Sequence, residues 1–533
     1  MSITIARLFQ AGAAGRTFQC ALLAAGLMAA GCETSGPPGV IGSVQGFAGA
    51  VVADEPRAAT IGRDVLGAGG SAADAAVATY FALSVTMPST AGLGGGGVCV
   101  AHHRETGETL AFDFLPRGAA DPKVAVPANV RGMAALHARF GVLQWAQLVG
   151  AAETLARFGT PMSRALAREL ETIGPNILRD PEMALVFGDG TGGLLGEGKN
   201  LVQAQLANTL SRIRLGGGGE LYVGQFARVF AESAQAIGAP LTLQSLQASV
   251  PKVAPAVAVD YGSHVLYLPS PPAAGGITTA QMISMIDDEG GFDGSESDRD
   301  RLISWASERA LLDRQSWLGP GGTTVQNAET LLSESHIAAL ESGAPQSTAA
   351  PGPLENAWAT GFVTADRNGD MVACAVTMNT LFGSRRMVPG SGVILAPGPN
   401  EQGVDFTALG PVILANPYTN HTYFAGAASG GEAGISALAN VFLRVNEAEQ
   451  QLEAAMLAKR VHHNGVPDTL FYEPGIDPGA LAAADTGGAP AVQVPVLGRV
   501  NAIWCPESLF RAPEFCQASA DPRTFGLAIV LAE

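Results

Sequence analysis

Apolar positions recur every three or four residues through 128–250, interleaved with Arg, Gln and Glu, which is the period of helices with one buried stripe. Residues 300–345 continue this pattern in part. It breaks at the Gly/Pro/Ala/Ser connector of residues 343–353. Beyond the connector, short apolar runs at 362–365, 371–378, 392–395, 412–415 and 422–425 predict strands, and two helices follow at 433–445 and 447–460. Nearer the start, Ser71-Ala72-Ala73-Asp74 opens an alanine-rich helix with serine as N-cap and aspartate in its first turn, and Met87-Pro88 closes it. Four glycines, Gly94 to Gly97, then lead into a strand at 98–102. No strand precedes them and no helix follows, so they do not form a dinucleotide or phosphate loop. A helical first half and a strand-rich second half predict an α+β layered fold.

Composition adds limits. The chain has 533 residues, 47% of them hydrophobic and 15% charged, which is enough to bury a large core and too apolar for a disordered chain. Its net charge of −17 argues against nucleic acid as a partner. Residues 1–31 read as an export signal: Arg7 and Arg16, an apolar run from Cys20 to Ala30, then Ala29-Ala30-Gly31-Cys32. Small residues before a cysteine resemble a lipoprotein cleavage box, with Cys32 acylated as the first mature residue and residues 32–45 as a tether. The apolar run is shorter than the roughly 20 residues a spanning helix needs, so any membrane contact is expected through the lipid alone. The expected location is the periplasm, free or membrane-anchored, of a Gram-negative bacterium.

The remaining cysteines suit that compartment. Cys505 and Cys516 bracket a Pro-containing loop and are expected to form a disulfide. Cys99 and Cys374 lie inside apolar strands and read as buried free thiols. No cysteine or histidine spacing suggests a metal site. His462-His463 reads as a packed pair at a helix end, and His102-His103 as a surface pair ending a strand.

Gly-Gly-Ser-Ala-Ala-Asp-Ala-Ala-Val-Ala at 69–78 and Met-Pro-Ser-Thr-Ala-Gly-Leu-Gly-Gly-Gly-Gly at 87–97 resemble motifs of the γ-glutamyltransferase family. The similarity continues at 268–276 (Leu-Pro-Ser-Pro-Pro-Ala-Ala-Gly-Gly), through 358–392, at 426–431 (Gly-Ala-Ala-Ser-Gly-Gly), at 460–463 and at 520–523. The resemblance implies a four-layer αββα N-terminal-nucleophile hydrolase, cut by itself before a threonine into a large and a small subunit. Here those would be residues 46–359 and 360–533, together one domain. That threonine would attack small γ-glutamyl amides such as glutathione through an acyl-enzyme, with no cofactor, because its own α-amine serves as base.

The turn Asp366-Arg367-Asn368-Gly369-Asp370 joins two predicted strands, and pairing about Asn368 sets 360 opposite 376 and 359 opposite 377. Thr377 and Asn379 therefore return to the cleavage point, and the resemblance gives them the roles of orienting the nucleophile and holding substrate. It likewise makes Gly430-Gly431 an oxyanion hole. Asp405 becomes the partner of the substrate's α-amine. Three departures stand beside this. Ala359 occupies the family's nucleophile position, so the hydroxyl available is that of Thr360, which the alternation of a strand turns to the other face unless its start bulges. Leu115-Pro116 stands where an arginine grips the substrate carboxylate, with Arg117 displaced by two. Thr407-Ala408 replaces a serine pair. An active enzyme nucleophilic at Thr360, a non-catalytic periplasmic binding protein and an amidase or acylase with another acyl group all remain open from sequence.

Overall fold

The computed structural model describes residues 49–118, 123–290, 292–343, 352–354, 358–399, 406–477, 479 and 490–531. Thirteen strands build its two large sheets: β1 (Gly49–Ala53), β2 (Gly96–His103), β3 (Glu108–Phe114), β4 (Lys252–Pro255), β5 (Val257–Tyr261), β6 (His264–Leu268), β7 (Ala359–Asp366), β8 (Met371–Thr377), β9 (Val412–Ala415), β10 (Thr422–Ser429), β11 (Arg499–Trp504), β12 (Gln517–Ala520) and β13 (Leu527–Leu531). One sheet runs β13-β1-β7-β8-β2-β3-β4 and the other β12-β11-β10-β9-β6-β5. Strand alternation gives each sheet two apolar faces. Val363, Ala365 and Ala373 of the first sheet meet Ile413, Ala425, Ala427 and Ile503 of the second in one core.

The outer faces are covered by helices. On the first sheet, Phe362 and Cys374 join α1 (Pro56–Gly67) and α2 (Ala72–Thr86) in a second core. On the second sheet, Val412, Leu414, Phe424 and Ala502 pack with α4 (Gly275–Glu289), α5 (Glu296–Trp317) and α6 (Glu432–Asn446). The layers are thus α, β, β, α. Helix α3 (Arg164–Ile173) belongs to a satellite core with Met378 and Phe382. The start of α2 follows the sequence expectation: the Ser71 hydroxyl accepts from the Asp74 amide at 3.1 Å and the Asp74 carboxylate accepts from the Ser71 amide at 3.1 Å.

Several expectations are corrected. Cys99 and Cys374 are not free thiols: they face each other across the β2–β8 pairing and are joined as a disulfide. The disulfide expected between Cys505 and Cys516 is formed. His462 and His463 lie on a buried strand, Val461–His463, and not at a helix end. The helix expected over 447–460 is confined to Leu452–Leu457. His102 is buried, with its ring bonded to the Thr109 hydroxyl and the Asn420 carbonyl. The acylation site expected at Cys32 lies outside the described residues.

Candidate active site

The hairpin β7–β8 has the register expected from its turn: Ala359 faces Thr377 and Thr360 faces Val376. The pairing runs without a bulge from Ala359 to Ala365. Alternation then separates the two candidate positions. Ala359 points, with Gly361, Val363 and Ala365, into the layer between the sheets. Thr360 points to the opposite face.

Around Ala359 the polar groups expected from sequence do converge. The Thr377 hydroxyl donates to the carbonyl of Trp358, the peptide just before Ala359, at 2.5 Å. The same oxygen accepts from the Asn379 amide at 2.8 Å. Asn379 holds a left-handed backbone at φ 65°, and its Nδ2 donates to the Pro397 carbonyl at 2.8 Å. Its side-chain oxygen is buried and has no partner. The wall facing the Ala359 methyl is apolar: Val98, Leu115, Ala273, Ala375, Phe406 and Leu409.

Thr360 is fully buried and its hydroxyl donates to Asp54 Oδ2 at 2.7 Å. Asn501 Nδ2 reaches Asp54 Oδ1 and the Gly361 carbonyl, each at 2.8 Å. Burial pushes the Asp54 carboxyl above its ordinary range, and the Thr360 and Asn501 hydrogen bonds oppose that push. A Thr360→Val variant keeps the shape and leaves Asp54 Oδ2 buried without its donor. We expect a loss on the order of 1–3 kcal/mol, read as a lowered melting temperature, with the chain's integrity on a denaturing gel unchanged.

Gly430 and Gly431, at φ 104° and 65°, turn the end of β10 into α6, with Gly431 as its N-cap. A Cβ on Gly430 would stand 3.0 Å from Gly498 Cα, so that turn accepts only glycine. Arg117 does not join this group. Its guanidinium donates to Asp113 Oδ2 at 2.5 Å and lines a separate cavity of about 440 Å³ with Leu115, Val126, Gln244 and Ser245. Asp405 lies outside the described residues.

Other charged groups near β7 carried no sequence signal. Buried Arg314, from α5, donates to Glu432 at 2.5 Å and to the Thr407 hydroxyl at 2.6 Å, so the loop hydroxyl already has a partner within the protein. Glu169 of α3 accepts from the Ser89 hydroxyl, and burial pushes its carboxyl up to about 7. Glu308, His463 and Asp468 also converge, within 4.8 Å. The Gly465 amide donates to His463 Nδ1 at 3.1 Å, which leaves the neutral ring's proton on Nε2, 3.3 Å from Asp468. With Nδ1 already accepting a backbone proton and Nε2 protonated, the neutral His463 ring offers no lone pair to a metal.

A sequence profile described as Gamma-glutamyltranspeptidase matches residues 58–410 and 405–531. The chain belongs to the γ-glutamyltranspeptidase family. Within it, the chain is 26% identical over 548 residues to the glutathione hydrolase proenzyme of Escherichia coli (strain K12), spanning 91% of this chain and 94% of that one. It is 26% identical over 519 residues to the glutathione hydrolase proenzyme of Bacillus subtilis (strain 168), 85% and 87% of the two chains. Among solved structures, the cephalosporin acylase from Bacillus halodurans superposes with a TM-score of 0.78 over 94% of this chain and 99% of that one, at 21% identity, a likeness of fold. The Helicobacter pylori γ-glutamyltranspeptidase superposes with a TM-score of 0.51 over 57% of this chain and 92% of that one, at 26% identity. This γ-glutamyltranspeptidase-family chain therefore has the N-terminal-nucleophile hydrolase fold, with alanine opposite Thr377.

Proposed function

We propose that this chain is a γ-glutamyltranspeptidase-family protein that neither cleaves itself nor forms an acyl-enzyme, and that it acts by binding a small molecule. One observation carries the reading: the side chain opposite Thr377 is a methyl group, while the neighbouring hydroxyl lies on the other strand face, bound to Asp54. An N-terminal nucleophile needs its hydroxyl and its α-amine on one residue and both at the site. Cleavage before Thr360 would free the right amine and leave its hydroxyl pointing at Asp54, away from Thr377 and Asn379.

Among the described residues, the groups that would grip a γ-glutamyl substrate are engaged elsewhere. Arg117 is paired with Asp113, and the Thr407 hydroxyl with Arg314. A zwitterionic donor needs charge-assisted bonds at both ends, and an apolar wall of Leu115, Phe406 and Leu409 supplies none. We further propose that the protein is exported and held at the membrane through an acylated Cys32, on the strength of the basic, apolar and small-residue segments before it.

The test is direct. Purified protein is expected to run as one chain below the export signal and to release no p-nitroaniline from γ-glutamyl-p-nitroanilide. Two fragments, the smaller beginning at Thr360, together with turnover that Thr360→Ala abolishes, would establish a self-processing enzyme in its place.

A further inference from the structure

A second cavity, of about 460 Å³, opens beside Gly430 at the end of the inter-sheet layer. Its walls are mostly apolar: Leu354, Phe471, Val494 and Val496 are among them. Among the described residues one charged side chain lines it, Arg499, the first residue of β11. Among the described residues the Arg499 guanidinium makes no hydrogen bond and no ion pair. It lies 5.7 Å over the ring of Trp358, and the charges of Asp54 and Glu169 reach it only at a distance.

A partly buried guanidinium without a partner is costly in an apolar setting, and an anion that accepts from it relieves that cost. The apolar walls select which anion. A strongly hydrated dianion such as phosphate would lose its water shell with little in return, whereas a carboxylate with a hydrophobic tail fills the walls and meets Arg499 with its head.

We infer that the Arg499 cavity binds a monocarboxylate bearing an apolar aliphatic or aromatic tail, with Arg499 on the carboxylate and Phe471, Val494 and Val496 around the tail. This gives a ligand class to the binding role proposed above. It is separable from that role, because the calorimeter reads the cavity and the gel reads cleavage, whichever form the protein takes.

The probes are octanoate and phenylacetate, their neutral amides, and inorganic phosphate, titrated calorimetrically into the full chain. Each acid is expected to bind at least about tenfold tighter than its amide, and phosphate not to compete. Arg499→Gln should remove the acid's advantage and leave amide affinity unchanged. Val496→Trp, which fills the tail space, should weaken acid and amide alike. Melting temperatures of both variants confirm folding, and if Arg499→Gln does not fold, the wild-type acid-to-amide ratio and Val496→Trp still decide. Equal binding of acid and amide, an acid preference that survives Arg499→Gln, competition by phosphate, or no binding of any probe would each overturn the inference.

Discussion

An Ala359→Thr variant is expected to split into two fragments, the smaller beginning at residue 359, while the wild-type chain stays whole. On the proposed reading, the Ala359 methyl stands among groups that would serve the cut. Thr377 already donates to the Trp358 carbonyl at 2.5 Å, which polarises the carbon that an introduced hydroxyl at 359 would attack. Attack forms a bond from that oxygen to the Trp358 carbonyl carbon, and the C–N bond to residue 359 breaks as its nitrogen takes a proton. Water then hydrolyses the resulting ester, leaving a carboxylate on Trp358 and a free amine on residue 359. The introduced atoms enter a wall that includes the small side chains of Ala273 and Ala375, so the strain should stay within about 1–3 kcal/mol. N-terminal sequencing of the small fragment checks the position of the cut. A folded variant that remains whole would mean that more than the nucleophile has been lost, and would point to the unpartnered Asn379 oxygen or to the Gly430 turn.

Glu169→Gln is expected to stabilise the protein increasingly as pH rises from about 4.5 to 7. Burial holds the folded-state carboxyl near 7 against an ordinary 4.5, opposed by the Ser89 hydrogen bond and the charge of Arg499 and reinforced by Asp54. Between those values the folded protein keeps a proton that the unfolded chain has released, so stability falls as pH rises through that window. Below it both states are protonated and the group contributes nothing. The interval corresponds to on the order of 3 kcal/mol, removed by a glutamine that still accepts from Ser89. Melting curves of both proteins at pH 5 and pH 8 read the effect: the variant's advantage should grow by a few degrees at the higher pH. An advantage of the same size at both pH values would place the Glu169 carboxyl in its ordinary range.

Much of the site could be read from local chemistry. The five-residue turn about Asn368 set the hairpin register to the residue, because an Asn-Gly turn between two apolar runs leaves little freedom in pairing. That register placed Ala359 against Thr377 and turned Thr360 away. The capping box at Ser71 and Asp74 was equally local. What escaped was long-range. The Asp54 partner of Thr360 is 306 residues away in sequence, and nothing in the segment just after β1 marks it. The Cys99–Cys374 bridge depends on β2 lying beside β8, a neighbour relation that alternation within either strand does not reveal. Arg314 sits on a helix whose sequence gives no sign that its guanidinium reaches the Thr407 loop. The strands at the edges of the first sheet, β4 and β13, come from segments that also went unread, since an edge strand with mixed exposure shows a weak period of two. His462 and His463 were misplaced because a three-residue buried strand carries too few positions to show any period.

The most direct test of a chain that keeps the fold without the nucleophile is the intact mass of the wild-type protein, purified from its own export route and denatured before the spectrometer. One species covering everything after the export signal, with no trace of a fragment beginning at Ala359 or Thr360, is the result expected. Two species whose masses sum to that chain plus one water, with the smaller starting at Thr360, would contradict it.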